Sequence, residues 1–330
     1  MAVLVTGGAG YIGSHMVWSL LDEGEDVVVL DRLSTGFRWA LAPEAKFYEG
    51  DIADRGLLAR IFEAHAVDAI IHFAGSVVVP DSVSDPLTYY NNNTVKSHAL
   101  IAAAVEAGVP HMVFSSTAAV YGTPQQAAPV AEDAALKPES PYGASKLMTE
   151  IMLRDTAAAH PLTYTTLRYF NVAGADPRGR AGQSTAGATH LIKVACETAL
   201  GRRSKLQIYG TDYPTPDGTC IRDYIHVSDL ADAHLKALQR LRAGGSSLTA
   251  NCGYGRGFSV LDVVDCVARL SGRDLPVETV ARRPGDATFV VADASIARHE
   301  LGWQPVHDDL DFIVRSALDW EEHLGKRNDR

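Results

Sequence analysis

Val3-Leu4-Val5-Thr6-Gly7-Gly8-Ala9-Gly10-Tyr11-Ile12-Gly13 joins an apolar run to an amphipathic segment through glycines at 7, 10 and 13. The apolar run predicts a strand over 2–5, and the spacing beyond Tyr11 predicts a helix over 12–23. Glycine at 7 permits a tight turn. Glycine at 10 lets backbone approach a pyrophosphate, and glycine at 13 lets the helix pack close to the strand. The first helical turn, with Tyr11 and Ile12, offers free N–H groups to phosphate oxygens.

A glycine triplet alone also fits a tight turn with no nucleotide. Here Asp31 ends the next strand, about 20 residues on, where a carboxylate accepts bonds from ribose hydroxyls and repels a 2′-phosphate. That favours NAD over NADP, although the neighbouring Arg32 could accommodate the phosphate. Asp51 and Ile52, after a strand, are candidates for the adenine, with a helix N-cap as the other reading of Asp51. Phe73-Ala74-Gly75 ends a strand in small residues against which a cofactor could lie; close packing is the alternative.

The first half alternates strand and helix patterns: strands over 27–31, 69–74, 112–115 and 164–169, helices over 57–65 and 92–107, and a long helix opening at 138–141 and running to about 159. Continuous apolar strands separated by amphipathic helices predict a parallel sheet covered on both faces. The expected architecture is therefore α/β, a Rossmann-type doubly wound parallel sheet with a smaller C-terminal α/β substrate lobe. Residues 1–175 form the first domain, which also receives later segments at about 210–245. Residues 176–330 form most of the second, interleaved with the first, with loops at 176–188 and 210–218 and helices at 191–200, 227–242 and 260–270.

Composition narrows the class. The chain has 330 residues, 46% apolar and 21% charged, enough for one large α/β domain or two ordinary ones. No apolar run approaches the roughly 18 residues of a membrane span. Met1–Val5 runs directly into the glycine turn with no secretory pattern, so a cytoplasmic protein is expected. The four cysteines are scattered and the twelve histidines form no metal-spaced cluster, so no metal and no disulfide are expected. A net charge of −10 without a dense basic stripe argues against nucleic acid.

Tyr142-Gly143-Ala144-Ser145-Lys146 puts a phenol and an ammonium one helical turn apart. A lysine cation and a positive nicotinamide ring would both stabilise a phenolate, letting Tyr142 take a proton while hydride leaves the adjacent carbon. A surface pair is the bland alternative for this spacing alone. In the upstream Ser115–Thr117 segment, Thr117 is the candidate for bonding the reacting oxygen and passing its proton. Ser115 and Ser116 also read as a strand end satisfied by backbone.

These stretches, with GDI at 50–52, HFAG at 72–75, DPLTYYNNN at 85–93, FSSTAAVYG at 114–122, SPYGASKLMTE at 140–150, LRYFNVAGA at 167–175, the run over 212–234 and ARRPGD at 281–286, resemble UDP-glucose 4-epimerases over nearly the full length. These belong to the extended short-chain dehydrogenase group. The resemblance implies catalysis by Tyr142, Lys146 and Thr117. It implies NAD contacts from Gly7, Gly10, Tyr11, Ile12, Gly13, Asp31, Asp51, Ile52, Phe73, Ala74, Gly75, Asn92, Ser115, Tyr142, Lys146 and Tyr169. It implies UDP-sugar contacts from Thr117, Tyr142, Asn171, His190, Leu191, Tyr209, Arg222, Arg283 and Asp286, with arginine forks suiting a diphosphate. The implied reaction is redox-neutral: C4 is oxidised to a ketone with bound NAD, the keto sugar turns, and reduction follows on the other face. A homodimer through the helices at 92–107 and 142–159 is also implied.

Departures from the family pattern mark where this chain differs. Val77 replaces a lysine near the cofactor. Thr189-His190-Leu191 replaces an Asn-Asn-Leu, leaving His190 to meet a phosphate or to cap a helix. Val290 stands where some relatives carry a tyrosine lining the sugar pocket, so an N-acetyl group could enter. Epimerases of UDP-pentoses or UDP-uronates, a net dehydrogenase and a non-catalytic NAD-binding protein remain as rivals. A dehydratase would need an acidic residue in 115–120, and there is none.

Overall fold

Every residue of β1 (Ala2–Thr6) is buried, which requires cover on both faces of the strand. The computed structural model describes residues 1–124, 126–283 and 285–328 and supplies that cover. The chain continues through α1 (Tyr11–Asp22), β2 (Asp26–Asp31), β3 (Lys46–Glu49), α2 (Arg55–Ala64) and β4 (Val67–His72). Two short helices, α3 (Val79–Ser84) and α4 (Pro86–Tyr89), precede a π-helical stretch over Tyr90–Val95 and then α5 (Lys96–Glu106). β5 (His111–Ser115), α6 (Pro141–Ala159), β6 (Thr163–Tyr169) and β7 (Asn171–Ala173) follow.

The later half holds α7 (Leu191–Ala199), β8 (Leu206–Tyr209), β9 (Ile221–Arg222), β10 (Tyr224–His226), α8 (Val227–Arg242) and β11 (Leu248–Cys252). It ends with β12 (Phe258–Ser259), α9 (Val260–Ser271), β13 (Val277–Val280), β14 (Phe289–Val290), α10 (Ser295–Glu300) and α11 (Leu310–Asn328).

The central sheet has seven strands in the order β11-β6-β5-β4-β1-β2-β3, all paired in parallel. Strand order reverses between β1 and β4, so a crevice opens at the carboxyl ends of these two strands. One apolar core packs Met16, Leu20, Leu230 and Leu238 against one face and continues to Val263 of α9; the other packs Leu58, Ile61, Leu100 and Leu153 against the opposite face. Three small ladders, β10-β7, β12-β9-β14 and β13-β8, lie outside the central sheet and mark the second lobe, although β7, β9 and β10 come from segments expected in the first domain.

Three expectations need correction. The strand expected over 69–74 ends at His72, so Phe73 and Ala74 lie beyond it. The helix expected over 92–107 begins as a π-helical turn, because the Asn93 carbonyl is engaged by the Ser97 and Thr149 hydroxyls. β11 was not anticipated, although it forms an edge of the central sheet. Pro284, within the ARRPGD stretch, and the last two positions of the expected substrate lobe lie outside the described residues. Among those described, no helix is long and apolar enough to cross a membrane.

Candidate active site

The glycine turn is built for close approach. Gly7 has φ +73°, and a Cβ there would sit 2.6 Å from the Ala74 backbone nitrogen. A Cβ at Gly13 would lie 2.2 Å from the Gly7 carbonyl oxygen. Gly10 precedes α1 as a cap residue with no side chain, leaving the N–H groups of Tyr11, Ile12 and Gly13 at an uncapped terminus. The Tyr11 hydroxyl donates to the Gly174 carbonyl at 2.7 Å, tying this turn to the segment after β7.

Asp31 is buried at the end of β2. Its carboxylate accepts from the Ala9 amide at 2.9 Å and the Leu33 amide at 2.8 Å. It therefore shapes the glycine turn from the end of the next strand. Arg32 turns away, to Asp51 at 3.4 Å. Asp51 accepts from the Ala53 amide at 2.9 Å and from Lys96 Nζ at 2.5 Å. Burial raises its carboxyl, but Lys96, the Ala53 amide and Arg32 outweigh burial and hold it below the usual range. Asp51 is no helix cap: Asp54 caps α2, accepting from the Leu57 amide at 2.9 Å. Ile52 beside it is buried.

The Phe73 and Ala74 amides both donate to the Thr6 carbonyl, at 3.0 and 3.1 Å, which sets them against the glycine turn. A Cβ on Gly75 would meet Asn93 Oδ1 at 3.0 Å and Lys146 Nζ at 3.8 Å, so this glycine sits where cofactor turn and catalytic helix converge. Asn93 escaped the sequence reading. It accepts from the Ser76 amide at 2.7 Å and donates to the Ser76 carbonyl at 2.9 Å and Ser145 Oγ at 3.0 Å. Its position on a π-helical turn is a common functional signature, but only the fold reveals it. Asn92 donates to Ser76 Oγ at 3.1 Å, and Val77, one residue on, is exposed.

Helix α6, which carries Tyr142 and Lys146, starts at Pro141, with Ser140 capping the Gly143 amide at 3.1 Å. Tyr142 and Lys146 are both buried. That discards the surface-pair reading. Burial pushes the Tyr142 phenol up, the nearby Tyr169 adds to this, and the Thr117 hydroxyl acts against it. Lys146 donates to the Ser115 carbonyl at 2.9 Å and lies 5.0 Å from the centre of the Phe114 ring. Burial pushes its ammonium down to about 8, opposed by Glu150. Thr117 caps the short turn after β5, its hydroxyl accepting from the Ala119 amide at 3.1 Å. Burial also raises the Tyr169 phenol, at the end of β6.

The second lobe gathers the remaining candidates. Arg222, central in its ladder, pairs in register with Phe258 on one side and Val290 on the other. Its guanidinium contacts Asp286 Oδ1 at 3.2 Å. Arg283 stacks 3.6 Å from the centre of the Tyr209 ring, and the Asp286 amide donates to the Arg283 carbonyl at 3.2 Å. Asn171 joins this lobe to β6; its amide donates to the Asp223 carbonyl at 3.0 Å. Asn171, His190 and Leu191 line one recess with Gln183 and Trp320. His190 sits at the cap position of α7 but makes no side-chain cap; its Nδ1 pairs with Gln183 Nε2 at 2.7 Å.

Comparison with known proteins agrees with this geometry. Residues 3–253 match the family described as NAD dependent epimerase/dehydratase. A UDP-glucose 4-epimerase of Azospirillum brasilense is 60% identical over 322 residues, 98% of this chain and 92% of the relative. A Brucella ovis UDP-glucose 4-epimerase solved in complex with NAD superposes with a TM-score of 0.94 at 46% identity, covering 98% of each chain. The UDP-Glc/GlcNAc 4-epimerase of Campylobacter jejuni superposes with a TM-score of 0.86 at 47% identity, covering 98% of this chain and 99% of that one. The chain thus belongs to the NAD dependent epimerase/dehydratase family and, within it, to the UDP-glucose 4-epimerases.

Proposed function

We propose that this enzyme interconverts UDP-galactose and UDP-glucose by inverting hexose C4, with NAD as its resident cofactor. The observation that carries the reading is the buried Tyr142–Lys146 pair on α6, placed beside the Gly75–Asn93 junction of the cofactor turn. The residues present fit NAD. Glycines 7 and 13 leave no room for side chains, α1 begins uncapped, and Asp31 presents a carboxylate where a 2′-phosphate would have to sit. Residues 1–175, with the later segments at about 210–245 and β11, serve the cofactor; 176–330 mainly serve the sugar nucleotide.

When bound, NAD supplies the hydride acceptor and a cationic ring beside the phenol. Tyr142 takes the proton of the 4-hydroxyl, with the Thr117 hydroxyl bridging sugar oxygen and phenol. Lys146, pinned to the Ser115 carbonyl one helical turn from Tyr142, would hold the nicotinamide ribose of bound NAD and supply a positive charge on the same helix face as the phenol. Arg222 and Arg283 hold the diphosphate, while Asp286 and Asn171 engage the rest of the UDP unit. The nucleotide stays anchored as the keto sugar turns; with the hydride returned to the opposite face of C4, Tyr142 gives its proton back to O4.

A second sugar has specific support. Val290 is small, pairs with Arg222, and packs against the cluster of Ala118, Val120 and Tyr121 just after Thr117. That placement favours activity on UDP-GlcNAc as well. Exposed Val95, Met148 and Ile151 on the π-helical stretch and α6 supply an apolar face for a second copy, and the four cysteines are free and buried, as suits a cytoplasmic homodimer.

The test mixes purified protein, with no added cofactor, with UDP-galactose and follows UDP-glucose by NMR. Wild type should convert it, and Tyr142→Phe should lose about 10²–10⁴ in rate. Conversion only after adding NAD would place the weakness in cofactor retention near Val77. No product under either condition would reject this hexose pair.

A further inference from the structure

Glu150 lies one turn beyond Lys146 on α6, so Tyr142, Lys146 and Glu150 follow each other along one face at four-residue steps. Glu150 is buried and clamped by Arg168 of β6, whose Nε lies 3.1 and 3.2 Å and whose Nη2 lies 2.7 Å from the carboxylate. The same carboxylate accepts from Ser116 Oγ at 2.5 Å. Ser116 stands between Ser115, whose carbonyl holds Lys146, and Thr117. Arg168 also donates to Tyr121 at 3.0 Å and to the Glu132 carbonyl at 3.2 Å, and Tyr121 donates to Asn251 on β11 at 2.7 Å. A buried ion pair is seldom a net gain in stability over an apolar pair of the same size, so its place behind the catalytic strand end calls for another use.

We propose that Glu150, clamped by Arg168, is a positioning residue that keeps Lys146 charged and aligned beside Tyr142 and holds the Ser115–Thr117 strand end in register. The other titratable groups around Lys146 are neutral near pH 7. Burial keeps His72 of β4 far below its usual value, at about 3, and raises the phenols of Tyr142, Tyr169 and Tyr121. The Glu150 carboxylate and the Arg168 guanidinium are the charges left, and the carboxylate is the one that favours the ammonium. Glu150→Gln removes that anion and leaves the Arg168 cation without its ion-pair partner, held by Tyr121 and the Glu132 carbonyl with the Glu132 carboxylate as the remaining anion near it. Both changes disfavour protonated Lys146.

The inference rests on the epimerase reading only for its kinetic consequence. Its primary test is a pH titration of ¹³C-lysine-labelled protein by NMR, with the Lys146 signal assigned through Lys146→Met. Burial, which pulls the ammonium down to about 8, leads us to expect the wild-type transition there. In Glu150→Gln it should move down by about one pH unit or more. An unmoved transition overturns the proposal, whether or not the protein epimerises anything. Ser116→Ala tests the second half and serves if Glu150→Gln does not fold. It removes one hydroxyl and should lower kcat about tenfold with KM for UDP-galactose unchanged. Unchanged kcat, or a loss confined to KM, overturns it. A wild type that makes no UDP-glucose refutes the epimerase reading instead, and the Lys146 titration still decides the role of Glu150.

Discussion

Replacing Gly13 with alanine sets two effects of opposite sign against each other. In an ordinary helix this change gains about 1 kcal/mol, since alanine is the better helix former. Here the new methyl would lie 2.2 Å from the Gly7 carbonyl oxygen and 2.9 Å from Gly7 C and Gly8 Cα. All three are backbone atoms, so no side-chain rotation relieves the overlap. The first turn of α1 must retreat by about 1 Å, at about 1–3 kcal/mol of overpacking. The net loss of up to about 2 kcal/mol lowers Tm by up to several degrees, taking ~2–4 °C per kcal/mol for a large domain. The same retreat moves the helix N–H groups away from the pyrophosphate. Each bond to a charged group is worth about 1.5–3 kcal/mol, so NAD affinity should fall about tenfold or more. Gly24→Ala is the control. Gly24 has φ +77° and open space around it, so alanine there costs about 1–2 kcal/mol of left-handed strain without touching the turn. Thermal unfolding, with NAD quantified in the purified proteins, separates them: Gly24→Ala loses stability and keeps NAD, and Gly13→Ala loses both. A Gly13→Ala protein that melts no lower than wild type and retains NAD would refute the close-packing argument.

Two further outcomes are expected. Burial pushes His15, His72, His226 and His234 down from 6.5 to about 4, 3, 3 and 4. Below about pH 6.5 the unfolded chain binds protons that these folded histidines refuse, so their contribution is full above that pH and falls as pH drops toward their folded values. The slope is about 1.4 kcal/mol per pH unit for each histidine. Urea unfolding at about pH 7.5 and about pH 5.5 should show this loss, and His234→Leu should reduce it by about a quarter of the histidine share; an unchanged pH dependence would count against it. Separately, Val290→Tyr should cut turnover of UDP-GlcNAc far more than that of UDP-galactose, whereas a wild type active on UDP-galactose and inert on UDP-GlcNAc would remove the N-acetyl reading.

What could be read in the sequence was local. Strand, turn and helix over 2–22 depend on contacts among neighbours in the chain, and Tyr142 and Lys146 share a face because of helical spacing alone. The matched stretches carried the family. What escaped depends on pairing across the chain. Asn93 acquires its role by bonding Ser76 and Ser145, and nothing in its own surroundings distinguishes it from Asn91 or Asn92. Arg168 and Glu150 sit on different elements, and only the packing of α6 on β6 reveals their pairing. β11 is a short mixed segment whose place is fixed by its register with β6, from Leu248 opposite Thr165 to Cys252 opposite Tyr169. For Asp51, read as an adenine contact with a helix cap as the alternative, the cap falls away because Asp54 is nearer α2 and takes that role, while Asp51 pairs with Lys96.

The two halves of the site are held with different firmness, and this suits their tasks. Tyr142, Lys146 and the strand end beside them are buried, where misplacement leaves polar groups without partners and is costly. Arg222, Asp286, Arg283 and Tyr209 are joined by a partly exposed ion pair and an exposed ring stack. Such contacts are worth about 1 kcal/mol or less each. On the proposed reading, exchanging Asp286 for a diphosphate at Arg222 costs little, while β9, paired with β12 on one side and β14 on the other, fixes the backbone that carries the arginine. The proposed mechanism, which grips one nucleotide while presenting two faces of its sugar, would need this division: a rigid proton-transfer group, and anion-binding arginines whose resting partners are easily displaced.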